Sequence, residues 1–159
     1  MAKITLIACI QQDNGIGYEG DLIWRIPLDM AVFKHYTKGH VCVMGRNTFN
    51  SLPEPLKGRT NVVLSRDKID IEGVTTYHDL EDLNKFLDTL DEEVFIIGGA
   101  RMYEAYLNKA DKVILTRVGD TKPADTFFPK FDFVGKYEVQ SVAQWDIDVH
   151  AETLVYTKK

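Results

Sequence analysis

Nowhere in this chain do about eighteen apolar residues run together, which excludes a membrane-spanning helix. Met1-Ala2-Lys3 leads into a short strand-like run, without the longer apolar stretch and small-residue cleavage site of a secretory signal, so a cytoplasmic protein is expected. Basic charge is scarce: 19 Lys and Arg against 24 Asp and Glu leave a net charge of −5, which argues against a nucleic-acid-binding surface. Cysteine is scarcer still. Cys9 and Cys42 both lie inside apolar runs, where a thiol behaves as a small buried hydrophobe, so neither a disulfide nor a thiolate metal site is expected. The histidines at 35, 40, 78 and 150 lack metal-ligand spacing. No repeat, low-complexity tract or long linker divides the chain. One domain over residues 1–159, a monomer with small-molecule partners, is the expectation.

What is present is an ordinary globular composition, 45% apolar and 27% charged over 159 residues, enough for one real core. Apolar runs at Ile4–Ile10, Val41–Met44, Asn61–Ser65, Val74–Tyr77, Val94–Ile97 and Val113–Thr116 read as strands, most of them separated by helix-length segments. An amphipathic helix is expected from about Pro27 to Tyr36, and a helix from Met102 to Leu107. Two closing runs, Tyr137–Val142 and Ala151–Thr157, are joined by a short polar link and read as an antiparallel hairpin. The alternation predicts an α/β fold: a mixed, mostly parallel central sheet of about eight strands, an antiparallel C-terminal edge hairpin and about four flanking helices. The glycine-bearing stretch from Gln11 to Ile23 is expected as a functional loop.

Ligands of open α/β sheets collect at the carboxyl ends of the strands. Three such ends suit phosphate. Gly45-Arg46-Asn47-Thr48 offers a bare glycine, a guanidinium and a hydroxyl, and Leu64-Ser65-Arg66 a second hydroxyl and guanidinium. Gly98-Gly99-Ala100-Arg101 is a turn whose backbone can approach a pyrophosphate as the next helix begins. Arg46 and Arg66 beyond that turn favour a cofactor with an extra ribose phosphate, since a bare ribose hydroxyl is better matched by a carboxylate. NADPH is therefore preferred to NADH. Taken singly, each feature also fits a tight turn or a solvated arginine.

On the first helix, the spacing of Asp29, Met30 and Phe33 puts a carboxylate beside apolar residues. A carboxylate desolvated there would have a raised pKa and could hold or relay a proton near neutral pH. Complementing the helix dipole is the alternative reason for an acid in a first turn.

These segments together resemble the dihydrofolate reductase family along nearly the whole chain. The matching blocks are Leu6-Ile7-Ala8, Asn14-Gly15-Ile16-Gly17, Leu22-Ile23-Trp24-Arg25-Ile26-Pro27 with Asp29 and Phe33, and Val43-Met44-Gly45-Arg46-Asn47-Thr48-Phe49. They continue through Leu56-Lys57-Gly58-Arg59, Asn61 to Arg66, Ile96 to Tyr103, Leu115-Thr116 and Asp125 to Pro129. The resemblance implies reduction of 7,8-dihydrofolate to tetrahydrofolate by direct hydride transfer from NADPH, in support of one-carbon and thymidylate metabolism, and makes antifolate inhibitors possible ligands.

It also implies roles. Asp29 would be the one acid of the pterin pocket, Thr116 would bond its carboxylate, and Trp24 would position a water beside it. Ile7, Ala8, Met30, Phe33 and Ile97 would line the pocket, with Leu52 and Leu56 further out. Arg59 would pair bidentately with the α-carboxylate of the glutamate tail. Gly45, Arg46, Asn47, Thr48, Leu64, Ser65, Arg66, Ile97, Gly98, Gly99, Ala100, Arg101 and Met102 would hold NADPH, with Ala8, Ile16 and Tyr103 near the nicotinamide and Gly98–Gly99 joined by a cis peptide.

The chain departs from the family pattern at Ile23, where a proline usually precedes the tryptophan, at Ala100, where some members have a third glycine, and in the short link from Trp145 to His150. A pyrimidine reductase of riboflavin synthesis with the same fold is the nearest rival, disfavoured by Trp24, Asp29, Phe33 and Arg59 together. An idle NADPH-binding module could dispense with Asp29 and Arg59. A flavodoxin-like protein would want a phosphate loop where Gln11-Gln12-Asp13-Asn14 stands.

Overall fold

The computed structural model describes residues 2–147 and 149–159; Met1 and Asp148 lie outside the described residues, and with them one position each of the N-terminal reading and of the Trp145–His150 link. Eight strands form one sheet in the order β10-β11-β8-β1-β7-β4-β5-β6. They are β1 (Lys3–Ile10), β4 (Val41–Gly45), β5 (Thr60–Leu64), β6 (Val74–Tyr77), β7 (Glu93–Gly98), β8 (Lys112–Val118), β10 (Tyr137–Trp145) and β11 (Ala151–Lys158). All pairings from β8 through β1 to β6 are parallel, and β11 runs antiparallel to both β8 and β10. The mixed, mostly parallel sheet with an antiparallel edge is the architecture that the alternation of runs predicts.

Both faces of the central parallel strands β1, β4, β5, β7 and β8 are largely buried, which is why their sequences read as continuous apolar runs, while the edge strand β6 leaves Thr75 exposed. Neighbouring residues go to opposite sides. Leu6, Val43, Val62, Ile96 and Leu115 join one core, against Leu83 and Leu87 of α3 (Leu80–Asp88) and Met102 and Tyr106 of α4 (Ala100–Tyr106). Ile7, Met44, Val63, Phe95 and Ile114 join the other, against Phe33 of α1 (Pro27–Thr37) and Phe49 of α2 (Arg46–Ser51). Pro27 starts α1 with Asp29 in its first turn and Lys34 and His35 in its last, a charge order that suits the helix dipole. No helix among the described residues is long and apolar enough to cross a membrane.

Because β7 lies between β1 and β4 while β8 goes to the far side of β1, the winding reverses at β1 and β7. A crevice forms outside the carboxyl ends of strands at such a switch point.

The stretch from Gln11 to Ile23, expected as a functional loop, carries regular structure of its own. It contains β2 (Gly15–Tyr18) and β3 (Asp21–Leu22), which with β9 (Thr126–Phe127) make a second sheet in the order β3-β2-β9. Asp125 fastens it from both groups: its N–H donates to Gly17 O at 3.0 Å, and its carboxylate accepts from Glu19 N at 2.9 Å. Strand β10 also runs on past Val142 to Trp145, through an irregularity between Ser141 and Ala143.

Candidate active site

Asp29 is only partly exposed, and burial raises its pKa above the ordinary carboxylate value, opposed by hydrogen bonds from the Thr116 hydroxyl and the Cys9 thiol. These partners share one register line: Cys9 pairs with Thr116 across β1 and β8, and Thr116 with Thr153 across β8 and β11. The two threonine hydroxyls lie 2.8 Å apart, both buried. A row of small hydrogen-bonding side chains thus crosses three strands and ends at the acid. Cys9 is not simply a buried hydrophobe, since burial and the adjacent Asp29 push its thiol far above its ordinary value, leaving a neutral S–H that can donate. Its apolar neighbours in sequence hid this contact, and only the register reveals it. Both cysteines are free, and burial pushes Cys42 up to about 12.

Met30 shares the helix with Asp29 and is 54% exposed. The indole N–H of Trp24 donates to Gln11 Oε1 at 3.0 Å. Ile7 is buried, while Ala8, Phe33, Leu52, Leu56 and Ile97 are half-buried. Ile7, Phe33, Leu52, Leu56 and Ile97 gather in one cluster, an apolar wall that reaches α1 at Phe33, one turn along the helix from the acid.

Arg59 is held at the far end of that wall. Its Nε donates to Lys57 O at 2.9 Å, its Nη1 to Thr37 Oγ1 at 3.2 Å, and its guanidinium carbon lies 6.0 Å from the Phe33 ring centroid. Thr37, fully buried, donates in turn to Phe33 O at 2.8 Å. The guanidinium keeps further donors for a carboxylate while its orientation is fixed from behind. Thr37 carries no motif and was not legible as part of the site.

Across the switch point the glycine turn meets the ends of β4 and β5. The Gly98–Gly99 peptide is cis, and Gly98 has φ +135°, a conformation that favours glycine. A β-carbon on Gly98 would lie 3.0 Å from Thr48 Oγ1 and 3.5 Å from the Tyr103 hydroxyl. Gly45 faces the same turn, with 3.9 Å from its would-be β-carbon to Gly99 N. Ala100 begins α4, whose first intrahelical bonds run from Met102 N and Tyr103 N to Gly99 O. Arg46 Nη1 donates to Ser65 Oγ at 3.3 Å, joining directly two of the side chains expected to hold phosphate. Arg66, Asn47 and Arg101 are exposed, Leu64 is half-buried and Ile16 is buried. His78, whose ring Nδ1 lies 3.0 Å from Ser65 O, is a further neighbour of that corner that the sequence did not single out. Tyr103 is buried, donating its hydroxyl to Ile7 O at 2.7 Å, so it braces β1 from below.

A desolvated acid on one side of the switch point and a glycine, hydroxyl and guanidinium cradle on the other define an α/β protein of the dinucleotide-dependent reductase class. The family model described as dihydrofolate reductase matches residues 3–157. Among curated relatives, dihydrofolate reductase of Haemophilus influenzae is 39% identical over 129 residues, 81% of this chain and 80% of the relative. That of Staphylococcus aureus is 38% identical over 146 residues, 91% of this chain and 89% of the relative. The structure of dihydrofolate reductase from Enterococcus faecalis complexed with NADP(H) and RAB-propyl superposes with a TM-score of 0.89 at 27% identity, covering 99% of this chain and 96% of that one. The chain belongs to the dihydrofolate reductase family.

Proposed function

We propose that this enzyme, which as a member of its family reduces 7,8-dihydrofolate to 5,6,7,8-tetrahydrofolate with NADPH, uses Asp29 as its single acid and the ends of β4, β5 and β7 as its cofactor cradle. The observation that carries the reading is Asp29 itself, a carboxyl whose pKa is raised by burial at the rim of an apolar wall. Such a group holds a proton more readily at neutral pH than a solvated one.

The residues present fit NADPH. The bare face of Gly98–Gly99 leaves room that a side chain would fill against Thr48, as a close backbone approach to a pyrophosphate requires. Arg46, Ser65 and Arg66 supply charge-assisted donors for a ribose phosphate. When bound, NADPH supplies a hydride to the pterin carbon beside the imine. The balancing proton goes to the imine nitrogen, and Asp29 supports that transfer while bonding the pterin's amino group and ring nitrogen. Thr116 and Cys9 orient the carboxylate, Trp24 and Tyr103 brace the pocket from the loop and from α4, and the apolar wall of Ile7, Phe33 and Ile97 excludes water and aligns the ring. Met30, Leu52 and Leu56 border the rest of the substrate, and Arg59 receives its tail carboxylate. Antifolates would compete for these same groups. The chain works as one unit over residues 1–159, as a cytoplasmic monomer.

Purified protein mixed with NADPH and 7,8-dihydrofolate tests this by absorbance. Cofactor oxidation that requires dihydrofolate is expected. Protein that binds NADPH yet oxidises none with dihydrofolate would overturn the reading.

A further inference from the structure

Gln11 immediately follows β1 and has only 1% of its surface exposed, an unusual place for a neutral amide. All four of its hydrogen-bonding positions are used. Its Oε1 accepts from Trp24 Nε1 and from Lys122 N, each at 3.0 Å. Its Nε2 donates to Lys122 O at 2.7 Å and to Asp13 Oδ1 at 2.9 Å. The carboxamide therefore pairs with both the N–H and the C=O of Lys122, as the backbone of a neighbouring strand would. The Lys122 ammonium then folds over the Trp24 ring, 4.3 Å from its centroid, a close cation–π contact. Asp13 completes the knot by accepting from Gly15 N at 2.9 Å. Gly15 packs so tightly here that a β-carbon on it would meet Gln11 Nε2 and Ala124 Cβ at 2.8 Å.

Three separate stretches converge on this one amide: the end of β1, the loop carrying Trp24 five residues before Asp29, and the segment that follows β8. We propose that Gln11 is a positioning residue for the reduction, fixing the Trp24 indole to the Lys122 segment and thereby setting the entry of the chain into α1, whose first turn carries Asp29. The inference rests on the function proposed above. A glutamine suits the task because it offers two acceptor and two donor positions in one plane, which neither an acid nor a hydroxyl does. Buried polar groups that satisfy one another in this way specify a single arrangement, and removing one member strands the others.

The test is a double-mutant cycle between Gln11→Leu and Trp24→Phe, read as kcat/KM for dihydrofolate at saturating NADPH. Each single change is expected to lower it about tenfold, and the double change no further than the worse single. A Trp145→Phe background leaves Trp24 as the sole indole, and Gln11→Leu should then redden its emission and raise its acrylamide quenching severalfold. Gln11→Asn, which keeps both halves of the carboxamide on a shorter stem, should fall between wild type and Gln11→Leu in both readouts, and it decides the question if the leucine variant does not fold. A lowered melting temperature with unchanged quenching and kcat/KM, or strictly additive losses in the cycle, would overturn the proposal. A wild type inactive with dihydrofolate would instead overturn the functional reading on which it rests.

Discussion

Thr116 and Thr153 face each other across β8 and β11 with their hydroxyl oxygens 2.8 Å apart, so one must donate to the other. If Thr116 gives its proton to Asp29, it must accept from Thr153, and the acid is backed by two hydroxyls in series. Because that hydrogen bond holds the Asp29 pKa down against burial, Thr116→Val should raise it further. The pH at which hydride transfer slows should then move upward, measured by single-turnover kinetics across a pH series. Thr153→Val should move it in the same direction by less. An unmoved profile in Thr116→Val would show that the hydroxyl does not act on the acid.

The same carboxyl has a stability signature. Its folded-state pKa lies above the ordinary value of 3.8, so the folded protein holds this proton more tightly than the unfolded chain. Stability from this group is therefore present below pH 3.8 and declines as pH rises toward the folded pKa, leaving a buried anion as a net cost at neutral pH. Asp29→Asn should melt a few degrees higher than wild type at pH 7 while losing activity, and the difference should vanish near pH 3. Calorimetry at the two pH values checks this. An advantage of the same size at both would mean that the effect is not ionisation.

Much of this was legible in the sequence for a plain physical reason. Strands buried on both faces must be apolar throughout, so β1, β4, β5, β7 and β8 stand out as runs, and the residues ending them are necessarily at the crevice. What was not legible depends on contacts between residues far apart in the chain. Strands β2 and β9 pair Gly17 with Thr126, and a four-residue strand bearing two glycines has no local pattern to announce it. Cys9, Thr37 and Gln11 belong to the site's surroundings through register and side-chain hydrogen bonds, not through any motif. Trp24 was singled out by the family resemblance, but the partner of its indole N–H was not legible.

Gly98 should tolerate no side chain. Its φ of +135° and the 3.0 Å approach of a β-carbon to Thr48 Oγ1 predict that Gly98→Ala costs about 1–3 kcal/mol in unfolding free energy. NADPH affinity should fall as well. Denaturant unfolding and cofactor fluorescence titration measure the two, and a fully stable variant with normal affinity would remove this turn from the cradle.

The two ends of the site should separate in binding. Arg59→Lys should raise KM for dihydrofolate about tenfold or more, since an ammonium cannot reproduce the paired donors of a guanidinium, with the dissociation constant for NADPH unchanged. Arg66→Ala should do the reverse, weakening NADPH by a similar factor while leaving NADH alone. Equal losses for NADPH and NADH in Arg66→Ala would place its guanidinium away from the ribose phosphate.

The central claim is that Asp29 supports protonation of the substrate, and the most direct measurement is the single-turnover rate of NADPH oxidation with dihydrofolate in wild type and Asp29→Asn from pH 5 to 9. Asp29→Asn should be slower than wild type by about a hundredfold or more at neutral pH, the usual size of a lost acid–base group, and should recover in part at low pH where solvent protonates the imine. A variant that matches wild type at neutral pH, or one equally slow at every pH, would contradict the assignment of the proton to Asp29.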